Sequence, residues 1–202
     1  MNLAPIFSVG VASEIRQDLL EDARRLFDGR IPLSLSPEGK ILTSLQGYDM
    51  GNNSMEKIAM HPEVHKISAA IKHEAKRFLD MMGANTEIYS IHVSNMWLNE
   101  MPSGTKSPLH YHYGHTLSGC YYVDVPPNSA GITFVNPMSL IPKQTVAPHH
   151  LTGYNSEDCT FHPKDGDMFL WESYLRHEVK PSEFEGVRRS IAFDVIIKQE
   201  VL

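Results

Sequence analysis

A chain of 202 residues with 42% hydrophobic and 21% charged residues has the length and composition of one globular domain with a sizeable core. Its net charge of −6 argues against broad electrostatic binding to nucleic acid or to an acidic membrane surface. No apolar run approaches the ~18 residues of a membrane span, and the first residues lack the pattern of a signal peptide. We therefore expect a cytoplasmic protein with a single domain over residues 1–202, in which Cys120 and Cys159 stay reduced.

The first part of the chain, residues 1–86, predicts two helices that support a larger body. Apolar residues recur at helical spacing from Ser13, a good N-cap, up to Gly29. A second amphipathic helix is predicted to begin near Pro62, because proline is favoured in the first turn. The polar segment 30–55 between the two helices contains many turn-forming residues, so we expect a long loop there.

Strand-like sequence fills the second part of the chain, residues 87–197. Apolar residues there alternate with polar ones or form short apolar runs bounded by turn residues, which is typical of strands. We predict strands at 87–99, 117–125, 131–135, 159–162, 168–171 and 188–197, with the run from 168 extending toward His177, and a second long loop at 138–157. Two helices followed by seven or eight short strands indicate a mainly β (α+β) fold, a sandwich or barrel with the helices against one outer face.

The stretch around residue 110 carries the strongest chemical signal. His110, His112 and His115 lie within six residues, at the predicted start of a strand. Residues two apart on an extended backbone face the same side, so His110 and His112 can present two imidazoles to one metal ion. The plain alternative is a pair of loop histidines without a metal. His115 fits an outer or solvent-facing position better than a ligand position.

His177, Arg188 and Ser190 are the candidates for the rest of the site. His177 lies just before a turn signal, and the strand after that turn begins at Arg188. Whether the connection makes a hairpin or crosses between packed sheets, it returns Arg188 to the neighbourhood of His177. Arg188 and Ser190 alternate, so they face one side, where a planar guanidinium and a hydroxyl can hold a carboxylate. The alternatives are a surface arginine and a serine with only a local hydrogen bond.

Five sequence motifs follow one another in a recognisable order. They are His-x-His at 110–112, Leu-Ser-Gly-Cys-Tyr-Tyr-Val at 117–123, Asp-Gly-Asp-Met-Phe-Leu-Trp at 165–171, Tyr-Leu-Arg-His at 174–177 and Arg-x-Ser-Ile-Ala-Phe at 188–193. Each motif is weak alone, but the combined order and spacing resembles the 2-oxoglutarate/iron(II)-dependent oxygenases of bacteria and marine phages, relatives of the prolyl hydroxylases. The resemblance covers roughly residues 88–197. It implies a double-stranded β-helix (jelly roll) with helices against one sheet.

The resemblance also implies roles for individual residues. His110 and His112 match the paired metal ligands and His177 the distal ligand, while Arg188 with Ser190 matches the residues that hold the far carboxylate of 2-oxoglutarate. The implied activity is that of an Fe(II)- and 2-oxoglutarate-dependent dioxygenase, an oxidoreductase that hydroxylates a small molecule, a peptide or a protein. Peptidyl proline is the first expectation for the substrate. The oligomeric state is left open, with a homodimer as one option.

The sequence departs from the wider superfamily at two positions. His112 stands where most members carry Asp or Glu, so a divalent metal held by three neutral imidazoles would keep a charge of about +2 instead of +1. The nearest acidic residues in sequence, Asp124 and Glu178, are not expected to be ligands. Met101 falls where prolyl hydroxylases carry the tyrosine of a Tyr-x-x-Gly motif, so a tyrosine often found near the co-substrate is absent there.

Two other classes of protein fit part of the pattern. A cupin-like metal-binding protein without 2-oxoglutarate turnover would use the histidines but would not need Arg188 with Ser190. A structural jelly roll, such as a virion component, would hold no metal. Succinate formation from 2-oxoglutarate distinguishes the oxygenase from the first alternative, and metal analysis distinguishes it from the second.

Overall fold

The computed structural model describes residues 6–10, 13–28, 34–35, 41–44, 62–137 and 156–200. Most of the two predicted long loops, together with His149 and His150, lies outside these residues. Helix α1 (Ser13–Asp28) and helix α2 (Pro62–Met81) begin where the sequence predicted them. No helix within the described ranges is both long enough and apolar enough to cross a membrane.

Most of the described chain is β-structure. Eleven strands lie within the described residues: β1 (Ile6–Gly10), β2 (Ser34–Leu35), β3 (Ile41–Ser44), β4 (Tyr89–Pro102), β5 (Ser107–His110), β6 (Leu117–Asp124), β7 (Ile132–Val135), β8 (Asp158–Phe161), β9 (Asp167–Glu172), β10 (His177–Val179) and β11 (Val187–Gln199). They form two antiparallel sheets, a larger one in the order β1-β9-β6-β11-β4-β3-β2 and a smaller one in the order β5-β10-β7-β8.

The larger sheet is buried on both faces. One core lies between this sheet and the two helices and includes Phe27, Ile67 and Phe193. A second core lies between the two sheets and includes Tyr122 and Phe134. A strand that is covered on both sides needs apolar or small residues at almost every position, and β6 has such residues and is buried without interruption from Leu117 to Val123. The predicted architecture, mainly β with helices on one sheet, is therefore confirmed.

Alternation along β11 separates two kinds of side chain. Ile191, Phe193 and Val195 belong to the helix-side core. The even-numbered residues from Arg188 to Asp194 face the other way, because successive side chains on a strand point to opposite faces. Three of these four are nearly buried, although two of them carry charge. The polar face of β11 therefore lies between the sheets, where the smaller sheet covers it.

The prediction that the strand at 168–171 runs on to His177 is wrong. Strand β9 ends at Glu172, and a turn follows in which the Leu175 amide donates to the Glu172 carbonyl at 2.9 Å. The chain thereby leaves the larger sheet, and His177 is the first residue of β10 in the smaller sheet. The connection from His177 to Arg188 consequently crosses between packed sheets and is not a hairpin within one sheet.

Candidate metal centre and adjoining cavity

The three predicted metal ligands lie together in space. His110, His112 and His177 offer ligand atoms that are all within 4.8 Å of one another. His177 is the cross-strand partner of His110 in the smaller sheet, and the backbone amide of His112 donates to the Ser173 carbonyl at 3.0 Å. Zinc–imidazole bonds, a guide for other divalent metals, are ~2.0–2.1 Å long, so side-chain shifts of about 1 Å would bring all three rings onto one cation.

Each of the three rings is oriented through its Nδ1 atom. His110 Nδ1 lies 2.7 Å from the Pro108 carbonyl oxygen, and His177 Nδ1 lies 2.9 Å from the Leu175 carbonyl oxygen. His112 Nδ1 lies 2.6 Å from Oδ1 of Asp194. These partners only accept hydrogen bonds, so each Nδ1 carries a proton, and in a neutral ring this leaves Nε2 with the lone pair that a metal needs.

The electrostatics of the rings also fit a metal. Burial, reinforced by the neighbouring His110, lowers the pKa of His177 to about 3, so the ring is neutral near pH 7 and no proton competes with a cation. His112 Nε2 is buried and has no hydrogen-bond partner in the part of the chain that the structure describes. A buried nitrogen lone pair without a partner is costly, and a metal ion would satisfy it. Imidazole donors suit iron, as they also suit zinc, copper and nickel.

Asp194 joins this group, although the sequence analysis overlooked it. Besides His112, its carboxylate accepts hydrogen bonds from Ser118 Oγ at 2.7 Å and from Asn95 Nδ2 at 3.0 Å. His115 Nδ1 lies 3.7 Å from its Oδ2 atom. Burial by itself would raise the pKa of Asp194, but the bonds from His112 and Ser118 hold that pKa below its ordinary value. The carboxylate is therefore ionised near pH 7.

The signal for Asp194 was present in the sequence. It lies six residues after Arg188 and four after Ser190, so strict alternation puts all three on one face of β11. The sequence analysis considered only the acidic residues nearest to the histidines along the chain. In the structure Asp124 pairs with Arg24 and Arg189, and Glu178 lies beside Lys180 at 3.7 Å. Neither belongs to the group of ligand atoms.

A narrow cavity of ≈ 50 Å³ adjoins the three histidines between the two sheets. On this measure one water needs roughly 10–15 Å³, so there is room for a small molecule of several heavy atoms. Besides the histidines, the residues that line it are Trp97, Asn99, Met101, Ser107, Gly119, Cys120, Tyr122, Ile132, Trp171, Val179, Arg188, Ser190 and Ala192. We call this space the central cavity.

The central cavity contains a buried positive charge. Arg188 is 3% exposed, yet no ion pair joins it to a carboxylate within the described residues. Its Nη1 lies 3.2 Å from the Met101 sulfur and its guanidinium carbon lies 5.0 Å from the centre of the Tyr122 ring, while its Nε has no hydrogen-bond partner among the described residues. Burying a charge without a counter-ion costs several kcal/mol (of order 2–5), so such a site is suited to an anionic ligand.

Other polar groups on the cavity wall also lack partners. These are the Tyr122 hydroxyl, Asn99 Oδ1 and Trp171 Nε1. Burial, with a contribution from Cys120, raises the pKa of Tyr122 well above its usual range, so its hydroxyl remains a hydrogen-bond donor. The sequence alone does not indicate which aromatic side chain lies next to Arg188. Tyr122 is the one beside Arg188, because both lie on the inter-sheet face of neighbouring strands in the larger sheet.

Ser190, the last of the predicted site residues, lies on the wall of the cavity. Ser190 is 2% exposed, lies directly across from Asn99 in the β4–β11 pairing, and lines the cavity. Trp97 stacks on His112 with ring centres 5.6 Å apart and planes inclined by 21°. Trp97, Asn99 and Met101, which alternate along β4, all line the cavity. His162 is exposed on another part of the chain.

Three exposed tyrosines are close in sequence to residues of the metal centre. Tyr111 and Tyr113 alternate with the two paired histidines and are 54% and 87% exposed. Tyr174 is 55% exposed and follows Ser173, whose carbonyl holds the backbone of His112. We call Tyr111, Tyr113 and Tyr174 the tyrosine rim. Large exposed aromatic side chains are typical of surfaces that bind other molecules.

The family model and the similar solved structures agree on one kind of protein. Residues 95–194 match a family model described as "Putative 2OG-Fe(II) oxygenase". An oxidoreductase of the 2OG-Fe(II) oxygenase family from Burkholderia pseudomallei aligns with a TM-score of 0.63 at 12% identity, over 95% of this chain and 85% of that one. No curated protein is similar enough in sequence to count as a match.

Two prolyl hydroxylases are also similar in structure. One, from Trichoplax adhaerens in complex with a hypoxia inducible factor oxygen degradation domain peptide fragment, aligns with a TM-score of 0.61 at 14% identity, over 95% of this chain and 83% of that one. The other is the viral collagen prolyl hydroxylase of Paramecium Bursaria Chlorella virus-1 in its 2OG complex. It aligns with a TM-score of 0.53 at 12% identity, over 98% of this chain and 96% of that one. At such identities these likenesses concern the fold, and they confirm the predicted jelly roll.

Proposed function

Because the chain belongs to the 2OG-Fe(II) oxygenase family, whose model spans residues 95–194, we propose that it hydroxylates a substrate with Fe(II) and 2-oxoglutarate. In this proposal His110, His112 and His177 are the metal ligands, and Arg188 with Ser190 holds the far carboxylate of 2-oxoglutarate. When bound, the iron with O₂ and 2-oxoglutarate supplies the oxidising power, so that one oxygen atom enters a substrate C–H bond and the other enters succinate, with release of CO₂.

The protein's own residues orient the reactants. The three Nδ1 hydrogen bonds hold the rings with their lone pairs directed at one cation. Arg188 offers its unpaired Nε, and Tyr122 its hydroxyl, to an anion in the central cavity. Both donors are buried, and a carboxylate bound to them is therefore held in a dry environment where charge-assisted hydrogen bonds are strong.

One observation supports this function above the others: a buried arginine without a carboxylate partner in the described residues faces the same small cavity as three imidazoles. A cupin-like protein that only binds metal has no use for this charge, and a structural jelly roll has no use for either feature. A diacid that bridges a metal and a guanidinium accounts for both.

The test is turnover of 2-oxoglutarate by protein reconstituted anaerobically with Fe(II) and then exposed to O₂. We expect stoichiometric formation of succinate and CO₂, slow without the natural substrate and faster with it. Iron bound without any succinate would favour the cupin-like alternative. Absence of iron after reconstitution would favour the structural alternative.

Replacement of Tyr122 by phenylalanine tests the wall of the cavity. A hydrogen bond to a charged group contributes about 1.5–3 kcal/mol, so we expect the Kd for 2-oxoglutarate to rise about 10-fold or more. Within the described residues the hydroxyl has no hydrogen-bond partner of normal geometry, although the Cys120 thiol interacts with it, so the unfolding temperature without ligand should stay close to the wild-type value. Both quantities can be measured by calorimetry.

Tyr121→Phe is the matched control for Tyr122→Phe. Tyr121 is the preceding residue, equally buried, but its side chain belongs to the core on the helix side of β6. It should leave the affinity for 2-oxoglutarate unchanged. If both variants bind 2-oxoglutarate as wild type does, Tyr122 has no part in holding it.

For the substrate we propose a peptide or protein, with peptidyl proline as the first candidate. The tyrosine rim supports this choice, because proline-rich segments dock on exposed aromatic side chains. A panel of proline-containing peptides, scored by a mass gain of one oxygen atom, tests it. We also propose a cytoplasmic location, which agrees with the free thiols of Cys120 and Cys159.

A further inference from the structure

Asp194 is a carboxylate, 2% exposed, in direct contact with one of the proposed metal ligands. Its Oδ1 accepts a hydrogen bond from His112 Nδ1 at 2.6 Å, while Nε2 of the same ring is buried without a partner. The imidazole therefore lies between the carboxylate and the position of a cation. We propose that Asp194 is a positioning residue that supplies, through His112, the negative charge that a carboxylate ligand at position 112 would bring.

The charge balance of the site is the first argument. Two histidines and one carboxylate leave a divalent ion with a net charge of about +1, whereas three neutral imidazoles leave about +2. When the negative charge of Asp194 is included, the net charge of the metal site is again about +1. The carboxylate is kept but lies one residue further from the metal, and its hydrogen bond makes the His112 imidazole a stronger donor.

The second argument is how firmly Asp194 and His112 are held. Ser118 Oγ at 2.7 Å and Asn95 Nδ2 at 3.0 Å fix the carboxylate. His112 follows the end of strand β5, so the ladder of the smaller sheet does not hold it. Its ring is instead held by Asp194 on one edge and by the stacked Trp97 on one face. Asp194 therefore determines the orientation of the one ligand that lies outside a strand.

The role of Asp194 rests on the proposed metal site, and it has consequences that can be measured on bound iron. Loss of a partner of a metal-bound histidine typically weakens metal binding about 10–100-fold. A nearby negative charge also stabilises Fe(III) more than Fe(II), because the attraction grows with the charge of the ion. Removal of that charge should therefore raise the Fe(III)/Fe(II) midpoint potential.

Asp194→Asn separates charge from shape, since its amide oxygen can still accept the hydrogen bond from His112. We expect its Fe(II) affinity, measured anaerobically without 2-oxoglutarate, to fall about 10–100-fold, and the midpoint potential of the iron-loaded protein to rise. Asp124→Asn removes the same charge from a carboxylate that pairs with Arg24 and Arg189. This control should change neither quantity.

A second background shows whether Asp194 acts through the imidazole. In His112→Asp the ring is absent and a carboxylate occupies the ligand position directly. There the additional change Asp194→Asn should leave iron affinity equal or improve it, because it relieves repulsion between two buried carboxylates. Equal weakening in both backgrounds would mean that Asp194 only supports folding, and the proposal would be wrong.

The outcomes distinguish this inference from the function on which it rests. A wild-type protein that takes up no Fe(II) would overturn the metal site and the role of Asp194 together. Wild-type iron affinity and midpoint potential in Asp194→Asn would overturn the role of Asp194 alone. A lower unfolding temperature of Asp194→Asn with an unchanged midpoint potential would likewise reduce Asp194 to a structural residue.

Discussion

His110→Ala should abolish stoichiometric iron binding. The variant removes one of three imidazoles whose ligand atoms lie within 4.8 Å of one another, and no carboxylate belongs to that group. Two imidazoles alone cannot hold a divalent ion in the presence of competing water, so the loss should exceed the ~100-fold effect of removing an outer partner. Metal analysis after anaerobic reconstitution and desalting measures it. Succinate formation should disappear with the iron.

His177→Ala should also abolish stoichiometric iron binding, although His177 lies in a different environment from His110. His177 is buried beside Trp171, with ring centres 4.8 Å apart, so its truncation leaves a cavity and lowers stability as well. His110 is only partly buried, and its variant should unfold near the wild-type temperature. Comparison of the two variants therefore separates loss of a ligand from loss of folding.

The exposed His162 provides the control for both variants. His162→Ala removes an imidazole from a residue outside the group of ligand atoms and should retain full iron content. Iron at wild-type stoichiometry in His110→Ala or in a folded His177→Ala would contradict the ligand assignment.

Arg188→Ala should retain iron but lose affinity for 2-oxoglutarate. Truncating one partner of a buried, hydrogen-bonded charge pair costs about 2–5 kcal/mol, which corresponds to a rise of roughly 30-fold or more in Kd. Arg188 faces the central cavity and is not among the metal ligands, so iron content should be unchanged. Titration of the iron-loaded protein with 2-oxoglutarate under anaerobic conditions gives the Kd directly.

The free energy of unfolding of Arg188→Ala also tests the role of Arg188. In the absence of 2-oxoglutarate the guanidinium has no ion-pair partner in the described part of the chain, so its removal relieves a buried charge. We therefore expect the free energy of unfolding of the ligand-free variant to fall by no more than the contribution of the lost side-chain packing. Added 2-oxoglutarate should raise the unfolding temperature of wild type and have little effect on the variant.

Arg189→Ala is the matched control. Arg189 is the next residue on β11, and its side chain turns away from the cavity to pair with Glu100 at 2.9 Å and Asp124 at 3.5 Å. Its replacement should leave the Kd for 2-oxoglutarate near the wild-type value. If Arg188→Ala and Arg189→Ala bind 2-oxoglutarate equally well, Arg188 does not anchor the co-substrate.

The periodicity of apolar residues was sufficient to predict the fold class. Helical spacing predicted α1 and α2. Alternation and short apolar runs predicted most of the strands named from the sequence to within one or two residues of their observed ends. Spacing also predicted which functional residues share a face, because His110 with His112 and Arg188 with Ser190 are each two residues apart. These are local properties of an extended backbone, and a sequence can carry them without any knowledge of contacts. The roles of these residues remain predictions.

The tertiary structure decided which faces meet. His177 reaches His110 because a turn after β9 moves the chain into the smaller sheet, where β10 pairs with β5. Asp194 reaches His112, 82 residues away, only because β11 is packed between β4 and β6 with its polar face toward the smaller sheet. Strand register and sheet packing depend on burial summed over the whole chain. Alternation could therefore place Asp194 on the face of Arg188, but no local pattern could have predicted that this face brings the carboxylate against His112.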